Sequence, residues 1–212
     1  MKIEGKNTVY YLSKMLKKLR MSSIKNCSIE KTVKICGGSM VINSSIADYS
    51  YIGYDTEIVN ANIGKYCSIA SNCMIGGGEH PLNFVSTSPV FHAGKNIFNM
   101  NFAQHEFKPY KQTHIGNDVW IAHNVKIKGG INIATGAVIG MGSVVTHDVG
   151  PYEIWAGNPA KLIKKRFDDD MIQKLLKSKW WEFNHEEMTT YAQVFDNPEK
   201  FLAMLDSSKN NS

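Results

Sequence analysis

From Ile115 to Gly150 an aliphatic residue returns at every sixth position: Ile115, Ile121, Ile127, Ile133, Ile139 and Val145. The fifth position of each block holds Val119, Val125, Ile131, Ala137, Ser143 and Val149, all small or β-branched. The second position is often Gly or Ala, as at Gly116, Ala122, Ala134 and Gly140. An amphipathic helix repeats near 3.6 residues and a half-buried strand at 2. A period of six fits neither. It fits a chain that turns a corner every six residues and sends one aliphatic side chain inward from each flat side, a β-helix signature. Three such sides make a coil of about 18 residues, and coils stack at roughly the 4.8 Å spacing of paired strands.

Upstream the pattern is looser. Ile24, Ile29, Ile35 and Val41 lie five to six residues apart, Ile46, Ile52 and Ile58 keep six, Ile63 slips by one, and Ile69 and Ile75 resume. With an occasional five-residue side, the two stretches predict about five coils. Between them, residues 76–114 have no repeat and contain Phe84, Phe91, Phe98, Phe102 and Phe107. Loops of this length in compact domains are functional or disordered, and the aromatic content argues against disorder. The insert is therefore expected to be an ordered excursion that packs on a neighbour and builds a site.

The flanks read as helical. In residues 7–20, Leu12, Met15, Leu16 and Leu19 share a face, with Lys14, Lys17, Lys18 and Arg20 elsewhere. A basic amphipathic helix suits a membrane surface, but its short length favours packing on the domain or on a neighbouring subunit. Gly157-Asn158-Pro159 marks a turn that ends the coils, and residues 168–206 read as helices with an acidic start at Asp168 to Asp170. Because a short solenoid leaves both ends uncovered, the two flanks are expected to cap them. The organisation is residues 1–23 as an N-terminal cap, 24–166 as a β-helix with insert 76–114, and 167–212 as a helical extension.

Composition narrows the classes. A net charge of +5, read as spread along the chain, describes a solvated surface rather than a nucleic-acid site. Cys67 and Cys73 fall at fifth positions, so they read as small core residues. Four cysteines without a CxxC pair read as reduced thiols in a cytoplasmic protein. No run approaches the ~20 apolar residues needed to span a bilayer, and the first twenty residues lack the apolar core of a signal peptide.

The repeat resembles the hexapeptide-repeat acyltransferases, which implies a left-handed parallel β-helix. Glu79-His80-Pro81, followed by Ser86-Thr87-Ser88-Pro89, is similar to the xenobiotic acetyltransferase branch, related to hexapeptide-type chloramphenicol and streptogramin acetyltransferases. IGNDVWIAHNVKIKGGI, GNPAKLIKKRF and Trp180-Trp181 extend the likeness, which covers roughly residues 46–183. By that resemblance His80 is the catalytic base, and acetyl-CoA lies in a groove along a prism edge between subunits of a homotrimer. Ala122, His123, Met141 and Thr146 would lie near pantetheine. Lys161 and Lys164 would meet the CoA phosphates, at positions where related enzymes often have Arg.

Chemistry supports His80 independently. Acetyl transfer from a thioester to a hydroxyl needs a base for the hydroxyl proton, and imidazole changes charge near neutral pH. Either Glu79 or a backbone carbonyl would orient it. Tyr49, Tyr54, His92 and Trp120 are candidates for the acceptor side. A metal-dependent reading weighs less: His105, His114 and His123 are nine residues apart, whereas carbonic anhydrases of this fold use two ligands five apart, so no metal is expected. The expected function is acetyl-CoA-dependent O-acetylation of a sugar hydroxyl in surface-polysaccharide or lipopolysaccharide biosynthesis. Alternatives are an antibiotic hydroxyl, an amino-sugar amine, or a metal-binding or non-catalytic β-helix.

Overall fold

A computed structural model of the chain describes residues 7–209; the first six residues of the expected N-terminal cap lie outside them. Three sheets form the walls of a triangular parallel β-solenoid. The first wall stacks Ser23–Lys25, Met40–Ile42, Glu57–Val59, Met74–Gly76, Lys126–Ile127 and Val144–Val145. The second stacks Ser28–Ile29, Ser45–Ile46, Ala61–Ile63, Thr113–Ile115 and Asn132–Ile133. The third stacks Lys34–Ile35, Tyr51–Ile52, Ser68–Ile69, Trp120–Ile121, Val138–Ile139 and the hairpin of Glu153–Gly157 with Ala160–Lys165.

The ladders follow the aliphatic repeat. Ile24, Val41, Ile58, Ile75, Ile127 and Val145 are successive partners on the first wall. Ile35, Ile52, Ile69, Ile121 and Ile139 do the same on the third. From Val41 onward, together with Ile46, Ile63, Ile115 and Ile133 of the second wall, they form one continuous core. Burying an Ile fully contributes roughly 1.5–3 kcal/mol, so a core of one aliphatic rung per side suffices for so thin a prism. The first wall carries six rungs, one more than expected. Ile75 and Ile115 belong to one coil split by the insert, and the walls continue past Gly150 into the hairpin.

Corners explain the irregular spacing. Asn26, Asn43 and Asn60 turn the edge between the first and second walls with φ of 53°, 48° and 53°. Asn tolerates this left-handed region better than most residues. A single such residue shortens the side to five, so the slip seen at Ile63 is a regular feature of this edge in the early coils. Tyr49, Tyr66, Asp118, Gly136 and Tyr152 turn the edge between the second and third walls, all with positive φ. Gly38, Asp55, Asn72, Asn124 and Gly142 turn the edge between the third and first. Beside these corners sit buried Ser39, Ser44, Ser50 and Thr56, whose hydroxyls bridge neighbouring coils: Ser50 Oγ donates to the Gly64 carbonyl at 2.7 Å and accepts from Cys67 N–H at 2.9 Å. Cys67 and Cys73 are buried at the same inner positions, and all four cysteines are free.

Each edge carries one attachment. The insert leaves the first–second edge after Gly76 and returns at Thr113. The C-terminal helices α2 (Asp169–Ser178), α3 (His185–Tyr191) and α4 (Pro198–Lys209) form a second apolar cluster around Tyr152, Ile172, Leu175, Tyr191, Phe201 and Leu205. Asp168 caps α2 by accepting from Met171 N–H. This cluster runs down the second–third edge instead of only covering the end: Trp180 meets Tyr66, which stacks on Tyr49 with ring centroids 5.1 Å apart. Arg166 ties the two parts together, bonding the Asp118 carboxylate and the Gly136 carbonyl.

The helix α1 (Asn7–Leu19) forms as the pattern predicts, but it does not cap the solenoid. Its polar edge meets the third–first edge, where Arg20 pairs with Asp55 and Lys17 Nζ lies over the Tyr54 ring. The approach is close: a Cβ at Gly37 would lie 2.3 Å from the Arg20 carbonyl oxygen. The apolar face stays exposed, and Ile24 in the first coil is itself half exposed. No helix among the described residues is long and apolar enough to cross a membrane.

Burial pushes the Cys67 thiol up to about 12. A thiol reagent at pH 8 should therefore leave Cys67 and Cys73 unmodified in the native protein and modify all four cysteines once it is unfolded. Peptide mapping by mass spectrometry reads this directly.

Candidate active site

The insert stands on an electrostatic stem at the first–second edge. Glu79 N–H donates to the Pro109 carbonyl at 2.7 Å, and Gly78 bridges Tyr110 across the neck. The Glu79 carboxylate pairs with Lys111 at 2.7 Å and with Lys128, from the next coil, at 2.9 Å. Hydrogen bonds from these two ammonium groups hold its carboxyl below the usual glutamate range. Glu79 is thus committed to the stem and does not orient His80.

The backbone does. His80 Nδ1 lies 2.7 Å from the Thr87 carbonyl oxygen. A carbonyl only accepts, so Nδ1 carries the proton and Nε2 keeps its lone pair. The Ser-Thr-Ser-Pro stretch makes this carbonyl available: Ser86 Oγ accepts from Ser88 N–H at 3.1 Å, and Pro89–Phe91 follows as a short 3-10 turn. These bonds fix the loop across from His80, whose side chain is exposed.

The rest of the insert is ordered by its own contacts. Phe84 meets His105 and Phe107, and Phe91 stacks on Phe102. His92 is buried and packs on Phe107, 5.5 Å between ring centroids, so its surroundings are those of a packing residue. Leu82, Val85, Ile97 and Phe98 remain strongly exposed on the outside of the same loop.

The residues expected near the cofactor separate into two groups. Ala122, His123 and Met141 share the third–first edge, where Gly142 N–H donates to the His123 carbonyl. His123 Nε2 receives the Asn72 side-chain amide at 3.2 Å, and Met141 is three-quarters exposed. The terminal hairpin stacks on this edge: Gly140 N–H donates to Trp155 O, and Ala156 covers Gly140. Lys161 is the strand partner of Ala156 and Lys164 that of Ile154, both exposed. The run from Lys161 is strand, the outer half of the hairpin on the third wall. Thr146 belongs instead to the insert edge, bonded to His147.

Acceptor candidates are likewise scattered. Tyr49 stacks at the helix-bearing edge, Tyr54 sits on the third–first edge beside α1, and Trp120 is half exposed in the middle of the third wall. His105, His114 and His123 lie in the insert, on the second wall and on the third–first edge. No group of three His, Cys, Asp or Glu side chains converges among the described residues. Within one chain, then, His80 and the pair His123 and Met141 occupy different prism edges, one wall apart. A wall of five or six residues at ~3.3 Å per residue separates them by roughly 15–20 Å. Sequence spacing hid this, because it does not say which edge a corner belongs to. The 17-residue recurrence of Asn26, Asn43 and Asn60 is the signal that would have sorted them.

Comparison with known proteins agrees with the fold. The bacterial transferase hexapeptide family, defined by six repeats, matches residues 112–147. A protein of Lysinibacillus sphaericus named as a probable macrolide acetyltransferase is 40% identical over 163 residues, 74% of this chain and 86% of that relative. A chloramphenicol acetyltransferase of Agrobacterium fabrum is 44% identical over 129 residues, 59% of this chain and 61% of its own length. Among solved structures, a mutant of the Bacillus cereus N-acyltransferase AntD, in complex with dTDP-4-amino-4,6-dideoxyglucose and coenzyme A, superposes with a TM-score of 0.56 at 20% identity, covering 80% of this chain and 96% of that one. At that identity the likeness is one of fold.

The stem carries a pH prediction. Because the folded state lowers the Glu79 pKa, its contribution is full above the ordinary value near 4.5 and is lost as pH falls through the lower folded value. Limited proteolysis should cut the wild-type insert faster as pH falls below the ordinary glutamate value of 4.5. Glu79→Gln should be cut readily at pH 7 and show no such rise.

Proposed function

The chain belongs to the bacterial hexapeptide-repeat transferase family and is an acetyltransferase, and from that premise we propose that it moves an acetyl group from acetyl-CoA to a hydroxyl, with His80 as general base. The observation that carries this reading is the bond between His80 Nδ1 and the Thr87 carbonyl, which leaves Nε2 free to accept a proton at an exposed position. The acceptor hydroxyl gives its proton to Nε2, and its oxygen attacks the thioester carbonyl carbon. The tetrahedral intermediate collapses with cleavage of the carbon–sulfur bond, and the CoA thiolate recovers the proton from the imidazolium.

The donor lies along the third–first edge in this reading. Ala122 and Gly142 let an extended pantetheine arm approach the backbone, with Met141 beside it, and Lys161 and Lys164 supply charge for phosphates. Since His80 stands on a different edge, the complete site forms between chains, and a cyclic homotrimer supplies three such junctions. The exposed apolar rim of the insert, Leu82, Val85 and Phe98, suits burial against the neighbour. Acetyl-CoA and four free thiols fit a cytoplasmic setting.

For the acceptor, a sugar hydroxyl of a surface-polysaccharide or lipopolysaccharide precursor is the first reading. An antibiotic hydroxyl is the second, favoured by the names of the relatives at 40% and 44% identity. Release of free thiol from acetyl-CoA with a panel of sugars and antibiotics separates the two. His80→Ala should lower turnover by roughly 10²–10⁴-fold, the usual worth of a positioned base, with the KM for acetyl-CoA little changed. Thr87→Val should keep wild-type turnover, since only the carbonyl is used. Wild-type rates from His80→Ala would remove His80 from the mechanism.

A further inference from the structure

The positive charge of this chain is not evenly spread. Residues 1–34 hold nine of the 24 Lys and Arg and two of the 19 Asp and Glu, so residues 35–212 carry a net −2. Within the described part, this charge belongs to α1 and the first coil. Lys14 and Lys17 are on the helix, while in the first coil Lys25 lies on the first wall, Lys34 on the third and Lys31 at the turn between the second and third, all exposed.

The same helix leaves its apolar face bare. On a helical projection Tyr11, Leu12, Met15, Leu16 and Leu19 fall on one arc, with the cations opposite. Their exposures run from 51% to 66%, and Met21 just beyond is 90% exposed. The cause is the mode of attachment. Arg20 pairs with Asp55, Lys17 lies over Tyr54, and Gly37 lets the helix backbone approach the solenoid closely. These contacts use the polar edge of α1 and turn its apolar arc away from the core.

We propose that α1 and the first coil form a docking surface for an anionic phospholipid bilayer, with the apolar arc of α1 in the headgroup–acyl boundary and the surrounding lysines on lipid phosphates. Charge complementarity selects this occupant. An amphipathic helix bordered by a cluster of Lys and Arg is the pattern that anionic lipid surfaces attract, whereas a second copy of this end would bring like charges together. A membrane-seated enzyme would meet lipid-linked acceptors at the surface, but the inference does not depend on the acceptor or on His80.

Sedimentation of the full chain with vesicles of equimolar phosphatidylglycerol and phosphatidylcholine, against phosphatidylcholine alone, tests it. The wild type should pellet with the anionic vesicles, release at high salt, and partition at least about tenfold less to neutral ones. Leu12→Asp with Leu16→Asp should abolish pelleting while leaving the oligomer size in light scattering and the acetyl transfer to a soluble acceptor unchanged. Failure of the wild type to bind anionic vesicles at low salt would overturn the proposal. So would binding that survives the double substitution, which would assign the affinity to surface lysines alone. A smaller oligomer from the double variant would also overturn it, by showing that another copy covers the helix.

Discussion

The corner is the constraint on which this protein depends. Each coil must reverse direction three times, and most reversals use a residue in the left-handed region with a small buried neighbour inside it. Asn60, Tyr66 and Asn72 turn the three corners of one coil, with Ala61, Cys67 and Cys73 beneath them. Where the inner residue is Ser, Thr or Cys, as at Ser50, Thr56, Cys67 and Cys73, its hydroxyl or thiol also bonds a carbonyl of the neighbouring coil. Once the corners are fixed, one isoleucine per wall fills the axis, and the exterior becomes three flat walls and three edges.

The proposed function divides along those edges. One edge opens into the insert, where two lysines clamp Glu79 and a backbone carbonyl fixes the tautomer of His80. A second is occupied by the C-terminal helices through the Tyr49–Tyr66–Trp180 stack and Arg166. The third stays open above α1 and is lined by small residues, His123 and Met141. A rigid solenoid cannot bend one edge onto another, so the proposed base on one and the proposed donor site on the next would act together across an interface between chains.

The aliphatic ladder was fully legible in the sequence, because one inward residue per side leaves a period that no helix or ordinary strand produces. The ordered insert and the helix start at Asp168 were legible for the same local reasons. Four things were not. The Ile63 slip read as an irregularity, since a five-residue side is recognised only when Asn26, Asn43 and Asn60 are seen as one column. The partner of His80 was left open between Glu79 and a carbonyl, because adjacency in sequence does not reveal that Glu79 is held by lysines from two other segments. The expected cap at the N-terminus failed because periodicity identifies an apolar face without saying what covers it. The net charge, read as spread, sits in the first 34 residues.

Mixing two inactive variants tests most directly the claim that the site is shared between chains. His80→Ala removes the base from one edge, and Met141→Asp places an anion on the groove of another. Differently tagged chains co-expressed and purified as mixed oligomers contain junctions that pair an intact His80 with an intact Met141 edge. In a cyclic trimer every mixed composition has one complete junction of three, so activity should return to about a third of wild type. Mixed oligomers that stay as inactive as their parents would place the base and the groove in the same chain and contradict the account.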